Sequence, residues 1–166
     1  MKKGGISLEG RAGLNEIMNI MLEPYKENCR YLSKVNFNYP SIEGDFHIPS
    51  SCYIKDTGHF NAVELIICYN QLAYTFFAHS ANQGLIENYG KVPVDEFKKF
   101  QLEKTFITKV KKIKFGNQIN SNNFYGRLNL KKTMNFHGAN FFDTDFNFWD
   151  DNGGKADGNI LLARIQ

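Results

Sequence analysis

The stretch that most restricts what this chain can fold into is Ala62–Ala78, "AVELIICYNQLAYTFFA". At helical spacing, Val63, Leu65, Ile66, Ile67, Leu72, Ala73, Phe76 and Phe77 fall on nearly every face. A helix that is apolar all round must be covered all round. Tyr69, Asn70 and Gln71 interrupt the run, which argues against a membrane span. The rest of the chain therefore has to supply a wrapping layer.

That layer is written in the flanking sequence. Leu14, Ile17, Met18, Met21 and Leu22 have helical spacing, and Pro24 ends that helix. "CRYLSKVNFNY" and "EGDFHIP" read as strands separated by "PSIEG". After the central helix come a connection, "NQGLIENYGKVP", and a short amphipathic helix, "VDEFKKFQLEK". From Thr105 onward the pattern is period two. Phe106, Thr108 and Val110 alternate with lysines; Phe124, Leu128 and Leu130 alternate with Tyr125, Arg127 and Asn129. Phe142, Thr144, Phe146 and Phe148 alternate with Asp143, Asp145 and Asn147. Such alternation predicts antiparallel strands with one wet face. "DDNGGKADG" reads as a hairpin turn and "NILLARI" as the last strand. An antiparallel sheet curled round one long helix is the hot-dog arrangement, an α+β fold, here expected as a single domain over 1–166. A lone sheet wraps a helix incompletely, so a homodimer or higher homo-oligomer is expected.

The chain has 166 residues and a formal charge of +3, one domain's length and too mild a charge for nucleic acid as partner. "KVKKIKF", Lys109–Phe115, reads as a solvated strand face; a second reading is a docking surface for the phosphates of coenzyme A or an acidic carrier protein. Cys29, Cys52 and Cys68 are an odd set without a CxxC pair, which reads as free thiols in a reducing compartment. "MKKGGISLEGRAG" has two lysines but no apolar run behind them, so no signal peptide is expected and the location reads as cytoplasmic.

Asn61 stands just before the apolar run with Glu64 three residues on, the capping-box spacing. One reading is an ordinary cap, contributing about 1 kcal/mol. The other uses the same geometry. The N-terminus of a buried helix offers unpaired N–H donors and a partial positive charge, which can hold the oxygen of a polarised carbonyl. His59 precedes it in "TGHF". A metal centre is not expected, because His47, His59, His79 and His137 are scattered without ligand spacing. No GxSxG elbow is present, so no serine or cysteine nucleophile is signalled. "DTDFNFWDDNGG" is no calcium loop: Phe148 takes the required glycine position.

With these residues in view, "TGHFNAVELIICYNQLAY", "LEPYKENCRYL" upstream and "FWDDNGGKADGNILLA" downstream resemble the FcoT-type acyl-thioesterases, a hot-dog family. The likeness runs from about Leu22 to Ala163, in order and at similar spacing. It implies an enzyme acting on fatty acyl thioesters, with no cofactor beyond the CoA or phosphopantetheine that carries the substrate. The family's two active-site tyrosines fall on Tyr25 and Tyr53, and its asparagine on Asn61. Members from isonitrile lipopeptide pathways add glycine across the double bond of an enoyl group on an acyl carrier protein, and the product leaves by hydrolysis. The partners so implied are a fatty acyl thioester, an acyl carrier protein and glycine.

On this reading Asn61, with N–H groups of the next helical turn, holds the thioester oxygen. Tyr25 and Tyr53 orient water or glycine, and His59 is the nearby group suited to act as a base near neutrality. Two other readings stand beside it. A hot-dog hydratase or dehydratase also carries "GHF", but needs an acid further along the helix, where this chain has Asn70 and Gln71. The third is a non-catalytic acyl-binding module.

Overall fold

The computed structural model describes residues 13–55 and 59–165. The "MKKGG" segment, on which the signal-peptide reading rests, lies outside the described residues. In chain order the elements are α1 (Leu14–Leu22), a single 3-10 turn (Glu27–Cys29), β1 (Leu32–Asn38), β2 (Ser41–Phe46), α2 (Ala62–Gln83), α3 (Val94–Phe100), β3 (Thr105–Asn117), β4 (Phe124–Phe136), β5 (Ala139–Trp149) and β6 (Lys155–Ile165). The strands form one antiparallel sheet in the order β1-β2-β4-β5-β6-β3. Segment 39–44 differs from expectation: "PSIEG" is not a link, because β2 already starts at Ser41 and the turn is Tyr39–Pro40 alone, with a cis peptide.

Helix α2 runs along the concave side of this sheet. Asn61 starts it as a β-region N-cap, and Gly84 ends it at φ 70, a left-handed conformation that glycine adopts without a Cβ penalty. Leu65, Leu72, Phe76 and Phe77 are buried against sheet side chains. Phe77 meets Phe142 at 4.5 Å between ring centroids, and Tyr69 meets Phe146 at 5.3 Å. Each such side chain contributes roughly 1.5–3 kcal/mol on burial, which holds a helix whose middle is rich in β-branched and aromatic residues. The alternation in β4 and β5 is as the sequence predicts: Phe124, Leu128, Phe142, Phe146 and Phe148 point in, while Arg127, Asp143 and Asp145 lie on the outer face. Two glycines make room for the rings. A Cβ at Gly126 would come within 2.5 Å of Phe148, and one at Gly158 within 2.4 Å of Phe146.

Strand β3 departs from strict alternation. Its register against β6 shifts at Ile107/Lys109, Val110/Lys112 and Phe115/Asn117. The bulges put Phe106 outside, whereas Ile107, Val110, Ile113 and Phe115 share the inner face through their partners Leu162, Ile160, Gly158 and Ala156, all buried. Lys111 pairs with Asp143 and Lys112 with Asp157, so two of the four lysines in the run are neutralised on a solvated surface.

The central helix is not sealed within one chain, as expected of a lone sheet: Val63 is 51% exposed, and Ile66, Ile67 and Asn70 are half-buried. On the edge strand β3, Val110 and Phe115 are exposed as well. Apolar side chains are thus left uncovered on α2 and along the free edge of the sheet. One further expectation changes, because the cysteines are not all free. Cys29 and Cys52 form a disulfide, with Cα atoms 5.4 Å apart, and only Cys68 remains a buried thiol. Sequence spacing hides the pair because the β1–β2 hairpin brings it together: Leu32 lies opposite Phe46, so the segments flanking the hairpin meet at its open end. The inference of a reducing compartment, which rested on free thiols, loses its basis. Among the described residues no helix is long and apolar enough to cross a membrane.

Candidate active site

The site forms where the connection after β2 crosses the first turn of α2. Asn61 has extended φ/ψ (φ −123, ψ 177), which frees its side chain to turn back on the helix. Its Oδ1 accepts from Val63 N–H at 2.9 Å and Glu64 N–H at 3.2 Å. Glu64 answers through Oε2, which accepts from Asn61 N–H at 3.3 Å. The capping box is therefore complete. A third donor reaches the same oxygen: the Tyr53 hydroxyl, at 2.8 Å.

These contacts fix the chemistry of both groups. Two backbone donors determine the amide orientation, so Asn61 Nδ2 is the end turned away from the helix. Among the described residues Nδ2 donates to no protein group. The sequence reading had the N–H groups of this turn holding a substrate oxygen; those of Val63 and Glu64 are instead filled by Asn61's own oxygen. The cap and the available donor are thus different atoms of one side chain. Tyr53 is 39% exposed and spends its proton on Asn61, which leaves its oxygen lone pairs as acceptors toward solvent.

A cleft of about 420 Å³ opens beside this pair, between the 59–62 approach to α2 and the 115–118 end of β3, with His59 on its rim. Its floor is aromatic: Phe60 packs against Phe124 at 4.7 Å and meets Phe115 at 6.4 Å. Phe115, exposed on the free edge strand, is one of the residues that line the cleft.

Tyr25 is not part of this cluster. It follows α1 and packs against α2 further along, where burial, with Tyr74 and Cys68 nearby, pushes its hydroxyl well above the usual tyrosine range. Cys68 is seven residues beyond Asn61, about 10 Å along a helix axis. Four expected site residues thus divide: Tyr53 and Asn61 touch, His59 borders the same cleft, and Tyr25 stands apart beside Tyr74.

Three residues were missed from sequence. Ser51 Oγ donates to Glu64 Oε1 at 2.5 Å, tying the Tyr53 segment to α2. Tyr74, buried, donates to Thr105 O at 3.2 Å and is Tyr25's neighbour. Gln71 is fully buried; its Oε1 accepts from Tyr31 and Leu32 N–H, both at 3.0 Å, and its Nε2 donates to Cys29 O. The capping-box spacing marked Glu64, but no local signal pointed to Ser51. Among the described residues no group of His, Cys, Asp or Glu is placed to hold a metal.

The comparisons with known proteins decide the family. The family model "FcoT-like thioesterase domain" matches residues 20–164. The chain belongs to this family. A "(2E)-enoyl-[ACP] glycyltransferase" of Streptomyces coeruleorubidus is 34% identical over 158 residues, covering 90% of this chain and 95% of the relative. The protein of the same name from Mycobacterium bovis is 36% identical over 163 residues, covering 90% and 86%. Among solved structures, the dehydratase domain of RzxB from Pseudomonas fluorescens superposes with a TM-score of 0.58 at 10% identity, covering 90% of this chain and 47% of that one. At that identity the likeness concerns the fold, and it agrees with the hot-dog reading. Membership of the FcoT-like family bears out the expectation of an enzyme acting on acyl thioesters.

Proposed function

We propose that this FcoT-like protein acts on an enoyl thioester carried on an acyl carrier protein, adding glycine at the β-carbon and then hydrolysing the thioester. The observation that carries the proposal is Asn61, which lines an apolar cleft and is hydrogen-bonded to Tyr53 beside it, in a chain 34% identical over 90% of its length to a protein named enoyl-[ACP] glycyltransferase. Both reactions need the carbonyl oxygen polarised. Asn61 Nδ2 is the donor for it, held rigid because the other end of the amide is locked to the helix. The lone pairs of Tyr53 accept from an N–H of glycine or an O–H of water and so aim the nucleophile. His59, on the rim, takes the nucleophile's proton and returns it, to the α-carbon in the addition, where a C–N bond replaces the C=C π bond, and to the leaving thiolate in the hydrolysis. Tyr25, beside Tyr74 and away from the Tyr53–Asn61 pair, has no part at the carbonyl in this reading.

The uncovered apolar side chains of α2 and of the edge strand β3 fit the expected homo-oligomer. A second copy meeting the free edge of β3 covers Val63, Val110 and Phe115 and closes the cleft's open side. The hydratase or dehydratase reading is weaker: Gln71, where an acid would be needed, has its amide committed at both ends to the backbone before and at the start of β1.

The test is mass spectrometry of products from an enoyl thioester, on CoA and on carrier protein, with and without glycine. A glycine-dependent adduct, released as free acid, is expected. Free enoic acid in both samples reduces the activity to hydrolysis, and a β-hydroxy product reinstates the hydratase.

A further inference from the structure

Tyr53 lies on a connection without helix or strand, and its hydroxyl bond to Asn61 is exposed. The net gain from one such exposed bond is no larger than the conformational freedom lost in fixing a single backbone residue. The Tyr53–Asn61 contact therefore cannot hold the connection in place by itself. Something else must bring the hydroxyl to 2.8 Å from Oδ1.

Part of the hold is covalent, since Cys52 is disulfide-bonded to Cys29; the tie to α2 itself is Ser51, just before it. Ser51 donates to Oε1 of Glu64, and Asn61 N–H donates to Oε2 of the same carboxylate. Glu64 is 1% exposed, on the first turn of α2. One buried carboxylate thus grips, with separate oxygens, the two chain segments that carry Tyr53 and Asn61. A capping box alone uses a single carboxyl oxygen, and glutamine serves there as well as glutamate. The second oxygen does a job that capping does not require. Burying a carboxylate is costly unless it is hydrogen-bonded; here two donors and the positive end of α2 compensate.

We infer that Glu64, through Ser51, is a positioning residue for Tyr53. It sets the distance between the segment that aims the nucleophile and the residue that polarises the carbonyl. It does not meet the substrate, because both of its oxygens face protein donors. The role rests on the function proposed above, but the anchor itself can be tested without turnover.

The experiment has two arms on the full-length protein. In the first, amide hydrogen exchange is followed in the wild type and in Ser51→Ala, which leaves the capping box intact. Exchange across 51–55 is expected to rise about tenfold while that of the α2 body stays unchanged. Unaltered exchange across 51–55 overturns the inference whether or not the enzyme turns over. In the second arm, kinetics on an acyl thioester compare Ser51→Ala, Tyr53→Phe and the double variant. Ser51→Ala is expected to lower kcat about tenfold with KM within about twofold, and to have no further effect in the Tyr53→Phe background, since both act at one hydroxyl. Glu64→Gln, which can accept from Asn61 N–H and donate to Ser51 Oγ, is expected to keep most of the kcat that Glu64→Ala loses. Additive losses, or equal losses in Glu64→Gln and Glu64→Ala, overturn the inference. A wild type without thioester turnover overturns the proposed function instead and leaves the exchange arm to decide the anchor.

Discussion

The Tyr53 hydroxyl donates to Asn61 Oδ1 at 2.8 Å, on the same oxygen that caps α2 through the Val63 and Glu64 N–H groups. One amide thereby links secondary structure to chemistry. Its oxygen is consumed by the fold; among the described residues its nitrogen donates to no protein group, and under the proposed function that nitrogen meets the substrate. Stability and activity should then separate on substitution, because each depends on a different atom.

Asn61→Asp makes that separation directly. Aspartate is as good an N-cap as asparagine, so the melting temperature should stay the same or rise. The Nδ2 donor, however, is replaced by an oxygen that repels a developing oxyanion. Turnover on an acyl thioester should fall by about 10²–10³, the usual effect of losing one such donor. Asn61→Ala should lose both, with about 1 kcal/mol less stability. Equal activity in Asn61→Asp and wild type, measured beside thermal melts, rules out the donor role.

The disulfide gives a second prediction. Cys52 immediately precedes Tyr53, and Cys29 follows Tyr25 by four residues in the α1–β1 connection. Alkylation of the denatured protein should label one thiol before reduction and three after it. The bond spans 23 residues, so replacing both cysteines by serine should cost about 3 kcal/mol. That is a fall of roughly 10 °C in Tm for a domain of this size. A melt indifferent to reductant would show that the bond adds nothing to the fold.

What could be read from sequence, and what could not, follows the range of the interactions. The central helix, its Asn61–Glu64 box and the in–out alternation of β4 and β5 are local patterns, and the structure reproduces them. Strand β3 misled because its bulges move Val110 and Ile113 by one face each, and no residue type in "KVKKIKF" marks a bulge. Cys29 and Cys52 looked unrelated because only the β1–β2 hairpin brings them together. Tyr53 meeting Asn61 was foreshadowed by family resemblance rather than by periodicity. Ser51 gave no signal, since a serine in a loop has many ordinary uses. Apolarity at Val63 and Ile66 was legible as a demand for cover that one sheet does not meet, and the six strands do leave both side chains partly open.

That open side yields a third prediction. With Val63 at 51%, Val110 at 45% and Phe115 at 41% exposed beside a free 13-residue edge strand, the protein should sediment as a dimer or larger assembly at micromolar concentration. Val110→Glu puts a charge on the exposed apolar edge and should shift the protein toward monomer, with helix content by circular dichroism unchanged. A wild type that sediments as a monomer removes the second copy from the account of the cleft.

Acid sensitivity should trace in part to Asp150. Its carboxylate accepts from Asn120 N–H at 2.6 Å, Gly154 N–H at 2.8 Å and Asn152 N–H at 2.9 Å, pinning the β5–β6 turn to the start of the β3–β4 connection. These backbone donors, that of Asn120 foremost, hold its pKa below the usual carboxylate value despite the opposing effect of desolvation. A folded-state pKa below the unfolded one means that the stabilisation is complete above the unfolded value of about 3.9 and is lost as pH falls through the folded value. Asp150→Asn keeps an acceptor but removes the charge, and should be less stable than wild type at pH 7 by about 1–2 kcal/mol. Denaturant melts between pH 7 and pH 2.5 should show that gap constant down to about pH 4 and closing below it. A gap that persists unchanged at the lowest pH would mean that the charge on Asp150 does not hold the turn.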